Sequence, residues 1–409
     1  MWRKIKPIDF LFVIVAAVTV MGTSSLCPAS DGKVSLGMIL PLSGFLSREG
    51  DMERKAALMA VEEINQSGGI RGKEIVLIFE DTEGKPAKAL SAAETLISLH
   101  GVPALCGAIS SSVAWKVGEF AEKKEVPFVI TSASADRITE KGWKFIFRIA
   151  LPVSEHYKPF RSFIKTAAPG IETVAVLYES NPVALSESRK IIKECEAMMG
   201  LGVTIRESFS GNIEGYAASI EAVKDREANM VILFPPLRDP ITFLRQCRAS
   251  GMSPWIFMDG YSASPLSELD PLVGSPKEGI ISRALWSPSL PYPKAASFYE
   301  NFIQQFDMIP DYHAAHAHAA IHVIADALRK TEGKTGSKFH QALTGTDTMS
   351  VFGPVRFRNY GGKRQQNRQS ACLTQWLMGK PEVIWPKGMA TVEPQIPLGP
   401  WDSEAGYMP

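Results

Sequence analysis

Two short clusters of hydroxyl side chains are the residues best suited to chemistry in this sequence. Ser110, Ser111 and Ser112 follow an apolar run that ends at Gly107, and Thr131, Ser132 and Ser134 follow the next apolar run. In each cluster, hydroxyls and the free N–H groups of a helix start would make an anion site suited to a carboxylate. The plainer alternative is that Ser111 and Ser134 only cap their helices; two such turns at successive strand ends favour a shared site. Four of the seven histidines, His313, His316, His318 and His322, crowd into one short stretch. His318 and His322 stand at i, i+4 on an expected helix and could hold a metal, but no HExxH pattern accompanies them. The expectation is a helix start beside the binding site and no metal. No GxSxG elbow, Walker loop or GxGxxG after a strand is present. Asp81, Glu83, Asp136 and Asp259 are scattered acids, so no catalytic residue and no cofactor are assigned.

The elements that must position these turns alternate in type. Apolar strands are expected over 34–40, 74–80, 104–109 and 127–131, with helices over 51–66, 86–100 and 112–122 between them. Gly68-Gly69 stops the first helix. The pattern then restarts. The segment 145–150 leads into a helix over 154–167, then strands over 173–178, 204–208, 230–234 and 255–258, with helices over 186–199, 216–225 and 240–250. A long helix over 313–331 and strand-like segments over 353–357 and 371–377 follow. The tail from Pro381 carries Pro386, Pro394, Pro397, Pro400 and Pro409 and is expected to be extended or partly disordered. Strands alternating with helices of this length imply βαβ units and parallel sheets, here two α/β units of similar size. Ligands of doubly wound sheets sit outside the carboxyl ends of the strands, where both hydroxyl clusters fall.

With 409 residues, the chain exceeds what one core usually organises. Lys+Arg is 44 against Asp+Glu 43, without the basic excess of a nucleic-acid binder. Arg3, Lys4 and Lys6, an apolar run from Phe10 to Val20, and small residues at 22–25 read as a secretory signal peptide over 1–29. The run is shorter than the ~20 residues of a membrane span. Leu26 before Cys27 is too large for the usual lipidation signal, so a lipoprotein is not expected. Cys106, Cys195, Cys247 and Cys372 show no zinc-like spacing and are read as buried thiols.

At this point the chain resembles the leucine/isoleucine/valine-binding protein family, a branch of the type I periplasmic binding proteins. The residues that carry the resemblance begin with Gly37-Met38-Ile39-Leu40-Pro41-Leu42-Ser43-Gly44 and Gly50-Asp51-Met52. Ala60-Val61-Glu62-Glu63-Ile64-Asn65 and Gly68-Gly69-Ile70-Arg71-Gly72 follow. Weaker blocks lie at 107–112, at Arg245-Gln246-Cys247-Arg248-Ala249-Ser250-Gly251 and at Gly353-Pro354-Val355-Arg356-Phe357. The resemblance spans about residues 33–380 and implies two doubly wound parallel-sheet lobes joined by three crossovers, with a ligand in the hinged cleft. Lobe one is expected over 33–150 and 284–364, and lobe two over 151–283 and 365–385. Residues 386–409 are expected to form an extended tail, and the crossovers to lie near Ala150, Arg283 and Arg364.

By the same resemblance, Ser111, Ser132 and Ser134 match positions that hold an amino acid's carboxylate and help hold its amine. The second lobe departs. The family's amine-binding acid falls at about Tyr261, with Asp259 two residues before; one cleft tyrosine becomes Val183, near Asn181, and another falls at about Pro236. Glu49 beside Arg48 replaces the aromatic of the first loop. Glu83 and Ser110 stand where the family has a cysteine pair. These departures point away from branched-chain amino acids and toward another carboxylate or amide, on which Tyr178 and Tyr261 could stack. The expected binding residues are Glu49, Ser111, Ser132, Ser134, Tyr178, Asn181 and Tyr261. The resemblance implies a monomeric periplasmic protein that passes a small molecule to the permease of an ABC transporter. A ligand-sensing subunit of a membrane receptor is the alternative; an enzyme on tandem α/β lobes ranks below both.

Overall fold

In the computed structural model of the chain, the described residues are 32–180, 182–209, 213–234, 240–251, 255–258 and 279–395. They form two sheets. In the first, β1 (Val34–Leu40), β2 (Ile75–Asp81), β3 (Leu105–Gly107), β4 (Phe128–Ile130) and β5 (Ile146–Arg148) lie parallel in the order 2-1-3-4-5. Beyond β5 come β13 (Lys363–Asn367), β12 (Gly353–Tyr360) and β11 (Asp347–Ser350). The second sheet repeats this order with β6 (Thr173–Glu179), β7 (Gly202–Phe209), β8 (Met230–Phe234), β9 (Trp255–Met258) and β10 (Ile281–Ala284), followed by β14 (Cys372–Leu377) and β15 (Lys380–Trp385). Each lobe is therefore a doubly wound sheet with late strands added at one edge. Because β11–β12–β13 and β10–β14–β15 pair antiparallel, both sheets are mixed rather than purely parallel.

Burial explains the assignment of helices to lobes. On one face of the first sheet, Leu36, Met38 and Leu40 pack with Ala56, Ala60 and Ile64 of α1 (Ser47–Gln66). The same core takes Phe298 and Phe302 of α9 (Ala295–Phe306), Ile321 and Ile324 of α10 (Tyr312–Lys330), and Phe339 of α11 (Ser337–Thr344). The opposite face is closed by Val113, Val117 and Ala121 of α3 (Ser111–Lys124) against Ile39, Phe128 and Ile130. The second sheet has its own two cores, one around Leu177, Leu233 and Phe243, the other around Phe160, Phe163 and Ile232.

Two glycines set how tightly the first loops close. A side chain at Gly50 would meet the Pro41 carbonyl oxygen at 2.0 Å, so α1 can start only this close to the end of β1 without one. Gly107, at φ +119°, would bring a Cβ within 2.3 Å of the Ile39 carbonyl oxygen.

The late strands differ from the sequence expectation. The proline content suggests an extended tail from Pro381, yet Lys380–Trp385 pairs with β14 across a turn at Met378-Gly379. Trp385 is anchored there, its indole N–H donating to the Ser162 hydroxyl at 2.6 Å. The third crossing, expected near Arg364, falls after Asn367, because β13 pairs with β5 through Gln366↔Arg148. That strand reads KRQQN and lacks an apolar signal. It is held by polar contacts instead. The buried Arg148 donates to the Gln366 side chain, and Gln366 donates to the Ala150 carbonyl at 2.8 Å.

Candidate functional site

Three loops meet at the carboxyl ends of β1, β3 and β4. The first is shaped by Asp81 at the end of β2. Its carboxylate accepts from the Leu42 and Ser43 amides at 2.8 and 3.2 Å and from the Ser43 hydroxyl at 2.6 Å. Burial works against the charge, but these donors outweigh it and hold Asp81 below the usual carboxylate range. Phe45 stands on the same loop, 95% exposed.

The two hydroxyl-rich turns are joined directly. The Ser111 hydroxyl, on the first residue of α3, accepts from the Ala135 amide at 3.1 Å. Ser110 and Ser112 share a hydrogen bond at 2.9 Å, and Ser110, at the N-cap position, makes no side-chain cap. The first-turn N–H groups of this helix have no intrahelical acceptors and point toward the loop region. Ser134 is half-buried, and its hydroxyl makes no hydrogen bond among the described residues. Its carbonyl accepts from the Val153 amide at 2.8 Å, which ties the turn to the first crossing.

Ser132 behaves differently from the expectation for a ligand contact. Its hydroxyl donates to Glu53 Oε1 at 2.6 Å, while Thr131 donates to Glu53 Oε2 at 2.7 Å. Glu53 on α1 is wholly buried, and the two hydroxyls are spent on it. Burial pushes its carboxyl up to about 7, against the pull of His313 and the two hydroxyls. The start of α10 completes this floor. Asp311 accepts from the His313 amide at 2.8 Å and lies 3.1 Å from His313 Nδ1. Burial alone would lower the His313 pKa; Asp311, with Glu53 and Glu49, outweighs it and raises it. His316 and His156 are lowered to about 3 by burial, helped by His313 beside the first and Arg283 beside the second. Arg283 at the end of the second sheet's β10 lies over the Tyr157 ring at 5.0 Å, so the floor borders two of the crossings.

The seven expected residues separate into three groups. Ser111, Ser132 and Ser134 come together at one end of the first sheet, with Ser132 committed to Glu53. Glu49 sits one turn before Glu53 on α1, and its Oε2 is buried without a hydrogen-bond partner among the described residues. Tyr178, at the end of β6, is half-buried against the second lobe's core. Asn181 and Tyr261 lie outside the described residues, as do Pro236 and Asp259; so does the signal-peptide segment 1–29. The sequence reading missed Glu53, whose apolar neighbours Met52 and Ala56 hide it in a helix pattern. Its position one turn after Glu49 is the only sequence signal for it. Cys106, Cys195, Cys247 and Cys372 are free and buried. Among the described residues no histidine hydrogen-bonds a serine hydroxyl, and no helix is long and apolar enough to cross a membrane.

A family profile described as periplasmic binding protein matches residues 33–380. The Leu/Ile/Val-binding protein homolog 7 of Brucella suis is 26% identical over 394 residues, covering 90% of this chain and 95% of the relative. Among solved structures, a branched-chain amino acid transporter substrate-binding protein from Streptococcus pneumoniae, in complex with isoleucine, aligns with a TM-score of 0.70. It is 21% identical and covers 87% of this chain and 100% of its own. A solute-binding protein of an ABC transporter from R. palustris, in complex with benzoate, aligns with a TM-score of 0.68 at 18% identity. That alignment covers 88% of this chain and 98% of the other.

Proposed function

Because the chain belongs to the periplasmic binding protein family, we propose that it captures a small carboxylate- or amide-bearing solute between its lobes and delivers it to an ABC permease. One observation carries the ligand class. The Ala135–Ser111 hydrogen bond holds two hydroxyl-rich turns together at adjacent strand ends, leaving the Ser134 hydroxyl and the first-turn amides of α3 for an anionic or carbonyl oxygen. The relatives support that choice: isoleucine and benzoate share a carboxylate and not an amine. Glu49 then faces the rest of the ligand, and Phe45 supplies an apolar lip on the first loop.

Tyr178, Asn181 and Tyr261 are the second-lobe partners in this reading. Each lobe contributes part of the contacts, so binding favours the closed arrangement, and the crossings absorb the motion. The closed shape is what the permease recognises. Residues 1–29 act as the export signal, and the exported chain works as a monomer that binds its solute without transforming it.

The test is calorimetry on the exported chain against aromatic carboxylates, aliphatic carboxylates, amides and branched-chain amino acids. Saturable binding of a carboxylate or amide, with a smaller radius of gyration in solution scattering, is expected. Tight binding only of ligands lacking both groups would overturn the assignment.

A further inference from the structure

We propose that Glu63, His318 and His322 form a binding site for one divalent cation of the zinc class, separate from the solute cleft. Glu63 comes from α1, and the two histidines lie one turn apart on α10, the helix packed beside it. His318 Nε2 and His322 Nε2 both point at one oxygen, Glu63 Oε2, at 3.2 and 3.1 Å. One donor atom from each of the three residues lies within 4.8 Å of the others. In a tetrahedral zinc site with bonds of about 2.0–2.1 Å, neighbouring donor atoms are about 3.3 Å apart. The two nitrogen-to-oxygen separations already have that length. Small adjustments of the side chains would seat an ion, which takes the place of the two ring protons now shared with the carboxylate.

The donor set selects the ion. Two imidazoles and one carboxylate suit zinc and its neighbours in the first transition row, while magnesium and calcium prefer oxygen alone. Three protein ligands leave a fourth position for water, and the site has room for it: Glu63 is 42% exposed and His322 29%. His318 is buried against the Phe298 ring, with centroids 4.8 Å apart, and its Nδ1 has no hydrogen-bond partner among the described residues. Firmly held zinc ligands usually donate that second N–H to an acceptor, so this site should be of modest affinity. Glu63 lies ten residues along α1 from Glu53, about 15 Å at the helical rise. An ion here clips α1 to α10 within the first lobe and makes no contact with the solute.

The experiment uses the full exported chain, stripped with EDTA and titrated with zinc chloride by calorimetry and with cobalt chloride by visible absorption. One ion per chain is expected, with a tetrahedral cobalt spectrum and a zinc-dependent rise in Tm that EDTA reverses. His322→Ala and Glu63→Gln, each checked for folding by circular dichroism, should weaken zinc binding at least tenfold, while the surface control His100→Ala should not. Undiminished affinity in both site variants, or no saturable uptake by the unaltered chain, would overturn the proposal.

Discussion

Glu53 and Glu63 sit on the same helix, Glu53 beside one histidine of the neighbouring helix α10 and Glu63 bonded to two, yet their chemistry is opposite. Glu53 is sealed beneath the strand ends, with Thr131 and Ser132 on its two oxygens and His313 nearby but not bonded. Burial dominates, and its carboxyl is pushed up to about 7. Glu63 is half-exposed and accepts from two imidazoles; burial again pushes upward, but those two bonds hold its carboxyl well below the ordinary range. Residue type and partner helix therefore do not decide the charge state. What decides it is whether the donors are neutral hydroxyls in a dry floor or imidazoles at a wet edge.

The largest effect that could break this comparison is loss of the buried acid. Glu53→Ala would strand the Thr131 and Ser132 hydroxyls and open a void beneath the cleft. A loss of about 3 kcal/mol in chemical denaturation is expected. An equal loss in Glu63→Ala would show that burial is not what separates the two sites.

Next in size is the pH dependence of Glu53→Gln, which keeps an acceptor but cannot ionise. With its folded pKa raised from 4.5 to about 7, Glu53 favours the folded state below its unfolded value, and that advantage is lost as pH rises through about 7. Relative to the unaltered protein, Glu53→Gln should gain about 2–3 kcal/mol between pH 4.5 and 7.5, at ~1.4 kcal/mol per unit. His313 offsets part of the gain, since its own raised pKa depends partly on Glu53. Comparing variant with parent at each pH cancels His156 and His316, which burial lowers to about 3 and which Glu53 does not shift. A stability difference that stays flat across this window would mean Glu53 is charged throughout.

The hydroxyl turn offers a finer division. Ser132 serves Glu53, whereas the Ser134 hydroxyl is the one proposed to hold the ligand, so their alanine variants should separate. Ser134→Ala should weaken binding of the carboxylate about tenfold, or ~1.4 kcal/mol, with little change in Tm. Ser132→Ala should lower Tm and leave affinity nearly unchanged. Calorimetry paired with thermal melts distinguishes them; the reverse pattern would place Ser132 in the ligand site.

Much of this is legible in the sequence because it rests on apolar periodicity. The alternation of strands and helices marks both sheets, and the ends of the apolar runs at Gly107 and Thr131 put the two Ser-rich turns at adjacent strand ends. What escapes is polar and nonlocal. β13 is the run KRQQN, held in the first sheet by Arg148 and by the carbonyls of the first crossing, none of which is near it in sequence. β15 reads as a Pro-rich tail because Pro381 is its second residue and Pro386 follows its end, but pairing with β14 satisfies the backbone between them. The role of Ser132 depends on a glutamate that helix periodicity alone places in a core. Likewise, the i, i+4 histidines are visible from their spacing, whereas the glutamate that faces them comes from a helix 255 residues away along the chain.

The smallest effect is the sharpest, because its sign is opposite. A depressed carboxyl such as that of Glu63 contributes stability that is present above its unfolded pKa and is lost as pH falls toward the folded value. Without added metal, Glu63→Gln should therefore be less stable than the parent at pH 7 and converge with it in acid, whereas Glu53→Gln becomes the more stable protein as pH rises. The size should be under about 1 kcal/mol, since solvent screens a half-exposed carboxylate and glutamine can still accept from one imidazole. Denaturation curves for the two variants, collected in EDTA from about pH 2.5 to 7.5, should separate them: Glu63→Gln stays below the parent by a nearly constant amount above about pH 4.5 and closes that gap only below it, whereas Glu53→Gln gains on the parent as pH rises from about 4.5 to 7. If both moved the same way, the imidazoles around Glu63 would not be holding its charge, and the contrast between the dry floor and the wet edge would fail.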